Sequence, residues 1–350
     1  MTTQKAVVIQ GPRQAAVVTD RPLPALRDGY ILVKTVAVAL NPTDWKHIDN
    51  LSCPGVVVGC DYAGVVHEVG PGVQKTFQKG DRVCGFVHGS NAVQPEDGAF
   101  AESIVARGDL QIRIPDHLSF QEAATLGLGV TTAAQGLYQS LGLALPTAPI
   151  SQPSKRIVLV YGGSTATGTL AIQFAKLSGY TVWTTCSPRN FGLVRSLGAD
   201  AVFDYHDPQA AASVRELSND GLTLVFDTVS SEGSARFCDQ ALSTDGGDYS
   251  TLLPRRIDRA NLNSRATMAY TAFGEEFQFG DRVISAKLED RAFAKEFCTI
   301  VEQLLQAGQL RVHPPELRGG GLQGVLDGLQ LMREGKVSAK KLVYNVVETP

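Results

Sequence analysis

Six cysteines are spread over 350 residues without a single CxxC pair. That scatter offers no thiolate zinc motif. The expected role of these cysteines is that of small buried apolar residues in a reducing compartment. No apolar run approaches the length of a membrane span. The N-terminus, "MTTQKAVVIQG", lacks the charged-then-apolar layout of a signal peptide. The chain is therefore expected to be cytoplasmic, with the sequon Asn50-Leu51-Ser52 a chance match. An excess of positive charge is missing too. A net charge of −3 excludes the basic stripe of a nucleic-acid binder.

Apolar residues make up 43% of the chain and charged residues 19%, the balance of a globular protein with full cores. The length suits two domains. The first ~120 residues alternate short β-rich runs with Gly, Pro and Asp turns, which predicts a small barrel or sandwich. From "LSFQEAATLGLGVTTAAQGLYQSLGL" the period becomes helical, and the exposed connector "ALPTAPISQPSK" follows. A strand–helix alternation then starts at "RIVLVYGG" and runs through "TVWTTCS", "AVFDY", "LTLVFDTV" and "DYSTLL" to an expected sixth strand, "ATMAYTAF". Such alternation predicts a doubly wound parallel sheet, so the fold class is α/β. Two amphipathic helices and a last strand, "KKLVYNVV", close the chain.

Chemistry concentrates first in "VLVYGGSTATG". A strand enters a glycine turn and leaves as a helix, the layout that aims backbone amides at a pyrophosphate. Gly162, Gly163 and Gly168 keep the turn, but Thr165 stands where a glycine normally allows the closest approach. The phosphates are thus expected further out, met by the hydroxyls of Ser164, Thr165 and Thr167 beside Ala166. A plain Ser/Thr helix cap is the competing reading. The second strand selects the nucleotide. An NAD site wants a carboxylate there for the ribose hydroxyls, whereas this strand ends in Cys186-Ser187-Pro188-Arg189-Asn190. The Arg189 guanidinium and the Ser187 hydroxyl suit a 2′-phosphate, and Tyr205 adds a phenol after the third strand. The cofactor expected is NADPH.

Together with "NPTDWK", "GDRV" and "LGLGVTTAAQGL", these segments resemble the medium-chain dehydrogenase/reductase superfamily over essentially the whole chain. The resemblance implies a GroES-like β-barrel catalytic domain at 1–125 and 292–350 and a Rossmann domain at 126–291. Zinc-dependent members carry Gly-His-Glu where this chain has Gly59-Cys60-Asp61, and the four-cysteine structural-zinc lobe is missing. No metal is expected, since Cys60 alone supplies too few ligands. His67 and His88 read as solvated or satisfied residues.

Within the zinc-free branch, "YGGSTATG", "TCSPRNFGLVRSLGADAVFDY" and "VSAKKLVY" are similar to fungal trans-acting enoyl reductases of the lovastatin type. That resemblance implies NADPH-dependent hydride transfer to the β-carbon of an α,β-unsaturated polyketide thioester. The substrate would be held on an acyl carrier domain of a partner polyketide synthase. It carries a cofactor site onto Thr43, Asp44, Trp45 and Lys46, onto Ser164 to Thr167, and onto Ser187, Pro188, Arg189 and Asn190. Tyr205, Leu252, Leu253, Lys340 and Lys341 complete it. A substrate cleft falls on Leu126, Gly127, Leu128, Gly129, Val130, Thr131, Thr132 and Ala133. Lys46 and Thr43 are the candidate catalytic residues: Lys46 to orient the nicotinamide amide, stabilise charge or relay a proton, and Thr43 to touch the nicotinamide ribose. Asp44 is expected to order its loop. The alternative activity is a zinc-free quinone or alkenal reductase on small free substrates. Arg255, Arg256 and Arg259 are candidate contacts for an acidic carrier, or a solvated loop. No nucleic-acid or membrane partner is expected, and the assembly is expected to be a monomer or a weak homodimer.

Overall fold

The computed structural model describes residues 2–51, 53–150 and 156–350. Positions 151–155 of the connector, and Ser52 of the sequon, lie outside the described residues. Two compact units divide the chain: 1–128 with 270–350, and 129–269. Residues 126–128 and 270–291 thus sit in the first unit, whereas the sequence reading places them in the Rossmann half. For the second of these stretches the physical reason is aromatic. The rings of Tyr270 and Phe273 pack on Phe86, and His88 stacks on Tyr270 with centroids 4.2 Å apart.

The first unit holds a hairpin of Thr3–Gly11 and Gln14–Pro22 and a seven-stranded sheet. Across the sheet run Pro315–Arg318, Lys341–Asn345, Tyr30–Ala39, Asp61–Val69, Arg82–Phe86 and Ile112–Arg113, with Ser103–Arg107 also paired to Tyr30–Ala39. "YILVKTVAVA" makes the centre of this sheet because its β-branched residues fit a pleated surface, with Ile31, Val33, Thr35, Ala37 and Ala39 on a fully buried face and Lys34 exposed on the other. Ile9, Ile31, Tyr62, Phe100 and Ile104 form its fully enclosed core, each contributing roughly 1.5–3 kcal/mol relative to exposure. The helix Leu288–Gln306 buries Phe297, Val301 and Leu305 at spacing four, and Glu289 and Asp290 in its first turn complement the helix dipole.

The second unit is a six-stranded parallel sheet in the order Ala201–Phe203, Thr181–Thr185, Ile157–Tyr161, Leu224–Asp227, Gly247–Thr251, Leu262–Ala266. In chain order this is 3-2-1-4-5-6, the doubly wound arrangement that gathers loops at the carboxyl ends of the strands. The sixth strand is not "ATMAYTAF". The sheet ends on Leu262–Ala266, and Ala269–Phe273 is a 3₁₀ turn. The edge strand is polar, which suits a border facing water. No described helix is long and apolar enough to cross a membrane.

Candidate active site

In the nucleotide unit, Ile157–Tyr161 delivers the chain into the glycine turn. Gly162 has φ +82°, the left-handed region that favours glycine. A Cβ on Gly168 would lie 2.2 Å from the Gly162 carbonyl oxygen, so backbone meets backbone there. Thr165 is the N-cap of the helix Ala166–Leu177, its hydroxyl accepting from the Gly168 amide at 2.9 Å and lying 3.0 Å from Thr228 Oγ1. The cap reading therefore holds for this hydroxyl. Capping leaves the first-turn amides of Ala166 and Thr167 without intrahelical partners, on half-buried residues at the positive end of a twelve-residue helix.

Around this turn the fold collects hydroxyls and an amide. Ser187 Oγ lies 3.1 Å from Tyr205 OH, and Asn190 Nδ2 donates to Ser164 Oγ at 3.3 Å. Pro188–Asn190 forms a single 3₁₀ turn with Arg189 exposed. Four sequence-predicted residues thus meet in pairs beside the glycine turn. Leu252 donates its amide to Ser230 Oγ at 2.9 Å, and Leu253 follows with its side chain exposed. Gly129, Val130 and Ala133 are buried, and Thr131 and Thr132 keep partial exposure. Arg259 is not a solvated residue: it donates to Ser243 O at 2.7 Å and to Asp239 Oδ1 at 3.3 Å. Arg255 reaches Glu232 at 3.5 Å from the surface.

In the other unit, the helix Pro42–Asn50 positions Thr43 through Lys46. Asp44 is enclosed and accepts the Asn41 amide at 2.7 Å, ordering the helix start. Burial raises its carboxyl to about 7, partly opposed by that amide. Lys46 is half-buried with its ammonium 5.6 Å from the Trp45 ring centroid, and burial lowers its pKa. Thr43 Oγ1 lies 3.0 Å from His47 Nε2 and 2.9 Å from Tyr270 OH. Burial lowers His47 to about 4 and pushes Tyr270 and Cys60 well up, so all three are neutral near pH 7. Sequence reasoning missed His47 and Tyr270. The signal for His47 was available, four residues after Thr43 on one helix face.

Lys341 is placed differently from expectation. Its buried ammonium pairs with the enclosed Asp61 carboxylate and donates to Asn41 Oδ1 at 2.9 Å and Thr125 O at 3.3 Å. All three donors are used within the protein, because an ammonium in an apolar core must be fully paired. Lys340 is exposed, 3.2 Å from Glu316. Leu126 is wholly buried, and a Cβ on Gly127 would strike Asp61 Oδ1 at 2.4 Å, so these two serve packing. Leu128 is half-buried, and its amide donates to Asp61 Oδ1 at 2.6 Å.

The residues do not fit a metal. Asp61 is committed to Lys341, Asn41 and Leu128, and no group of three ligating side chains among the described residues is placed to hold an ion. They do fit a dinucleotide: a tight glycine turn leads into the positive end of a helix whose first amides have no intrahelical partner.

Two family models match: the alcohol dehydrogenase GroES-like domain over 27–116 and the zinc-binding dehydrogenase over 166–249. They define a medium-chain dehydrogenase/reductase, an oxidoreductase class that works with a nicotinamide cofactor. Among curated proteins, a trans-enoyl reductase of Cochliobolus carbonum, TOXD, is 62% identical over 79% of this chain and 93% of its own length. The trans-enoyl reductase resD of Aspergillus sclerotiorum is 50% identical over 98% of this chain and all of its own. Among solved structures, the quinone oxidoreductase from Coxiella burnetii has a TM-score of 0.70 at 25% identity, covering 99% of this chain and 100% of its own. The CurK enoyl reductase superposes with a TM-score of 0.75 at 18% identity over 98% of this chain and 99% of its own, a likeness of fold. The chain belongs to the trans-enoyl reductase family within that superfamily.

Proposed function

We propose that this chain reduces the α,β double bond of a polyketide acyl thioester, presented in trans by the acyl carrier domain of a polyketide synthase, with NADPH as reductant. The names of its relatives support the reaction. One local observation carries the choice of NADPH. The strand Thr181–Thr185 runs into Cys-Ser-Pro-Arg-Asn, without a carboxylate, beside the Ser187–Tyr205 hydroxyl pair. A carboxylate there would repel a 2′-phosphate, whereas a guanidinium and two hydroxyls receive one.

A dinucleotide held there would supply the hydride that reaches the substrate β-carbon. The protein must then hold the thioester oxygen as negative charge develops on it and protonate the α-carbon. Lys46 suits the first task. Its partial burial weakens water's competition for the ammonium, and the Trp45 ring narrows the arc through which it swings. Thr43 suits the second, as the half-buried end of a hydroxyl network whose other members are buried. Ser164, Ser187, Arg189, Asn190 and Tyr205 are assigned to the nucleotide.

The test is a substrate panel with the purified chain: an enoyl-pantetheine thioester, a carrier-bound enoyl thioester, and small quinones, each with NADPH and NADH. The reading expects NADPH-dependent reduction of the thioesters at least about tenfold more efficient than with NADH, a difference of about 1.4 kcal/mol. Faster turnover of quinones than of either thioester would instead favour a quinone reductase, and equal use of NADH would remove the cofactor assignment.

A further inference from the structure

A cluster of polar side chains in the first unit gathers around Thr43. Thr43 Oγ1, Tyr270 OH and His47 Nε2 form a triangle with edges of 2.9, 3.0 and 3.4 Å. Cys60 Sγ follows at 3.6 Å from Tyr270 OH, and the Asp44 carboxyl lies beside that thiol. Thr43 is the only half-buried member of the five; the other four are enclosed. Aromatic walls keep the series dry: His88 stacks on Tyr270, and Phe279 meets His47 edge-on at 5.5 Å. A hydroxyl has one proton and two lone pairs. When Tyr270 donates into Thr43, the threonine proton is left for His47 or for a ligand. Asp44 Oδ1 is buried without a hydrogen-bond partner, which favours the neutral carboxylic acid over the carboxylate.

We propose that Tyr270 is a positioning residue for the protonation step, and that the series Asp44, Cys60, Tyr270, Thr43 carries to the substrate α-carbon the proton that follows hydride arrival. The inference rests on the enoyl reductase reading above. The α-carbon gains a C–H bond as the Thr43 O–H breaks. Thr43 is reprotonated by the Tyr270 O–H, Tyr270 by the Cys60 S–H, and Cys60 by the Asp44 carboxylic acid. Once product leaves, the carboxylate left behind is reprotonated back along the same series from its half-buried end at Thr43, and no electrons are exchanged. Asp44 is faced by the Asn41 amide, the Cys60 thiol, the Asp61 carboxylate and the Lys341 ammonium. Burial holds its proton near neutrality, and the series empties as pH rises past about 7.

The experiment compares Tyr270→Phe, Thr43→Val and the double variant on an enoyl-pantetheine thioester, with nucleotide Kd read by fluorescence titration. Tyr270→Phe keeps the stacked ring and is expected to lower kcat about 10–100-fold, within the range for a lost proton-transfer group. Its nucleotide Kd should stay within twofold of wild type, its solvent deuterium effect should rise, and the fall in kcat above pH 7 should flatten. The double variant should be no slower than Thr43→Val alone, because the two act in one series. If Tyr270→Phe does not fold, the cysteine decides: Cys60→Ser should retain activity and Cys60→Ala should lose it. Wild-type kcat in Tyr270→Phe, multiplicative losses in the double variant, or full activity in Cys60→Ala each overturn the series. A wild-type enzyme inert toward the thioester would refute the enoyl reductase reading instead.

Discussion

Replacing Lys341 by methionine tests what holds the first unit together. Methionine keeps most of the side-chain volume and removes the ammonium. Asp61, fully enclosed, would keep the Leu128 amide at 2.6 Å and the Asn41 amide group at 2.9 Å but lose its counter-ion. Breaking a buried ion pair from one side costs roughly 3–5 kcal/mol, mostly the charge left unpaired. For a unit of this size each kcal/mol moves the melting temperature by roughly 2–4 °C, so a fall of about 6–20 °C is expected. Adding Asp61→Asn removes the stranded charge and keeps an acceptor for Leu128, which should return the protein to within about 1–2 kcal/mol of wild type. Scanning fluorimetry at pH 7 reads the melt, and calorimetric titration reads NADPH affinity. A variant that melts within about 2 °C of wild type but binds NADPH more than about tenfold more weakly would refute this reasoning and return Lys341 to the cofactor.

Arg189→Ala should raise the Kd for NADPH about 10–100-fold, the value of one or two charge-assisted hydrogen bonds, and leave NADH within about twofold; equal losses for both nucleotides would break the 2′-phosphate assignment. Gly168→Ala places a methyl against backbone at 2.2 Å and should destabilise the nucleotide unit by about 1–3 kcal/mol, read by urea unfolding; an unchanged midpoint would show that the turn yields. His88 is buried as neutral imidazole, its pKa lowered to about 3 by burial and then by His47. Its unfolded form takes a proton below pH ~6.5 while the folded form does not, so its contribution is complete above pH 6.5 and is lost as pH falls toward 3, by about 1.4 kcal/mol per pH unit. His88→Phe should lessen acid destabilisation by that slope; identical denaturation curves between pH 6 and 4 would exclude it.

Five of the six strands of the nucleotide unit were legible because short β-rich runs alternate there with helical spacing. The sixth strand misled because the true one, "LNSRA", is a polar border with little apolar content. The aromatics of "ATMAYTAF" had strand character but are used in a 3₁₀ turn against Phe86 and His88. Thr165 was legible as cap or as phosphate ligand, and geometry spends its hydroxyl on the cap. Lys341 was legible only as a charge near the end of the chain. Its partner lies 280 residues away, and a pairing over that distance leaves no local pattern. Tyr270 shares this difficulty: its contacts with Thr43 and Cys60 arise from packing alone.

The route of the chain through its two units sets an order of assembly. The nucleotide unit is one unbroken stretch, complete once residue 269 has been made. The barrel half begins earlier and finishes later, because Lys341–Asn345 must slot between Pro315–Arg318 and Tyr30–Ala39, pairing Val343 with Ala39. During synthesis from the N-terminus, the unit begun second is therefore the first that can close. Until then the oldest part of the chain waits with a bare sheet edge and with the Asp61 carboxylate lacking its cation. A ribosome halted shortly before residue 341 would hold a finished nucleotide unit joined to an unfinished barrel. The first unit stays open to mispairing until residues 341–345 have been made.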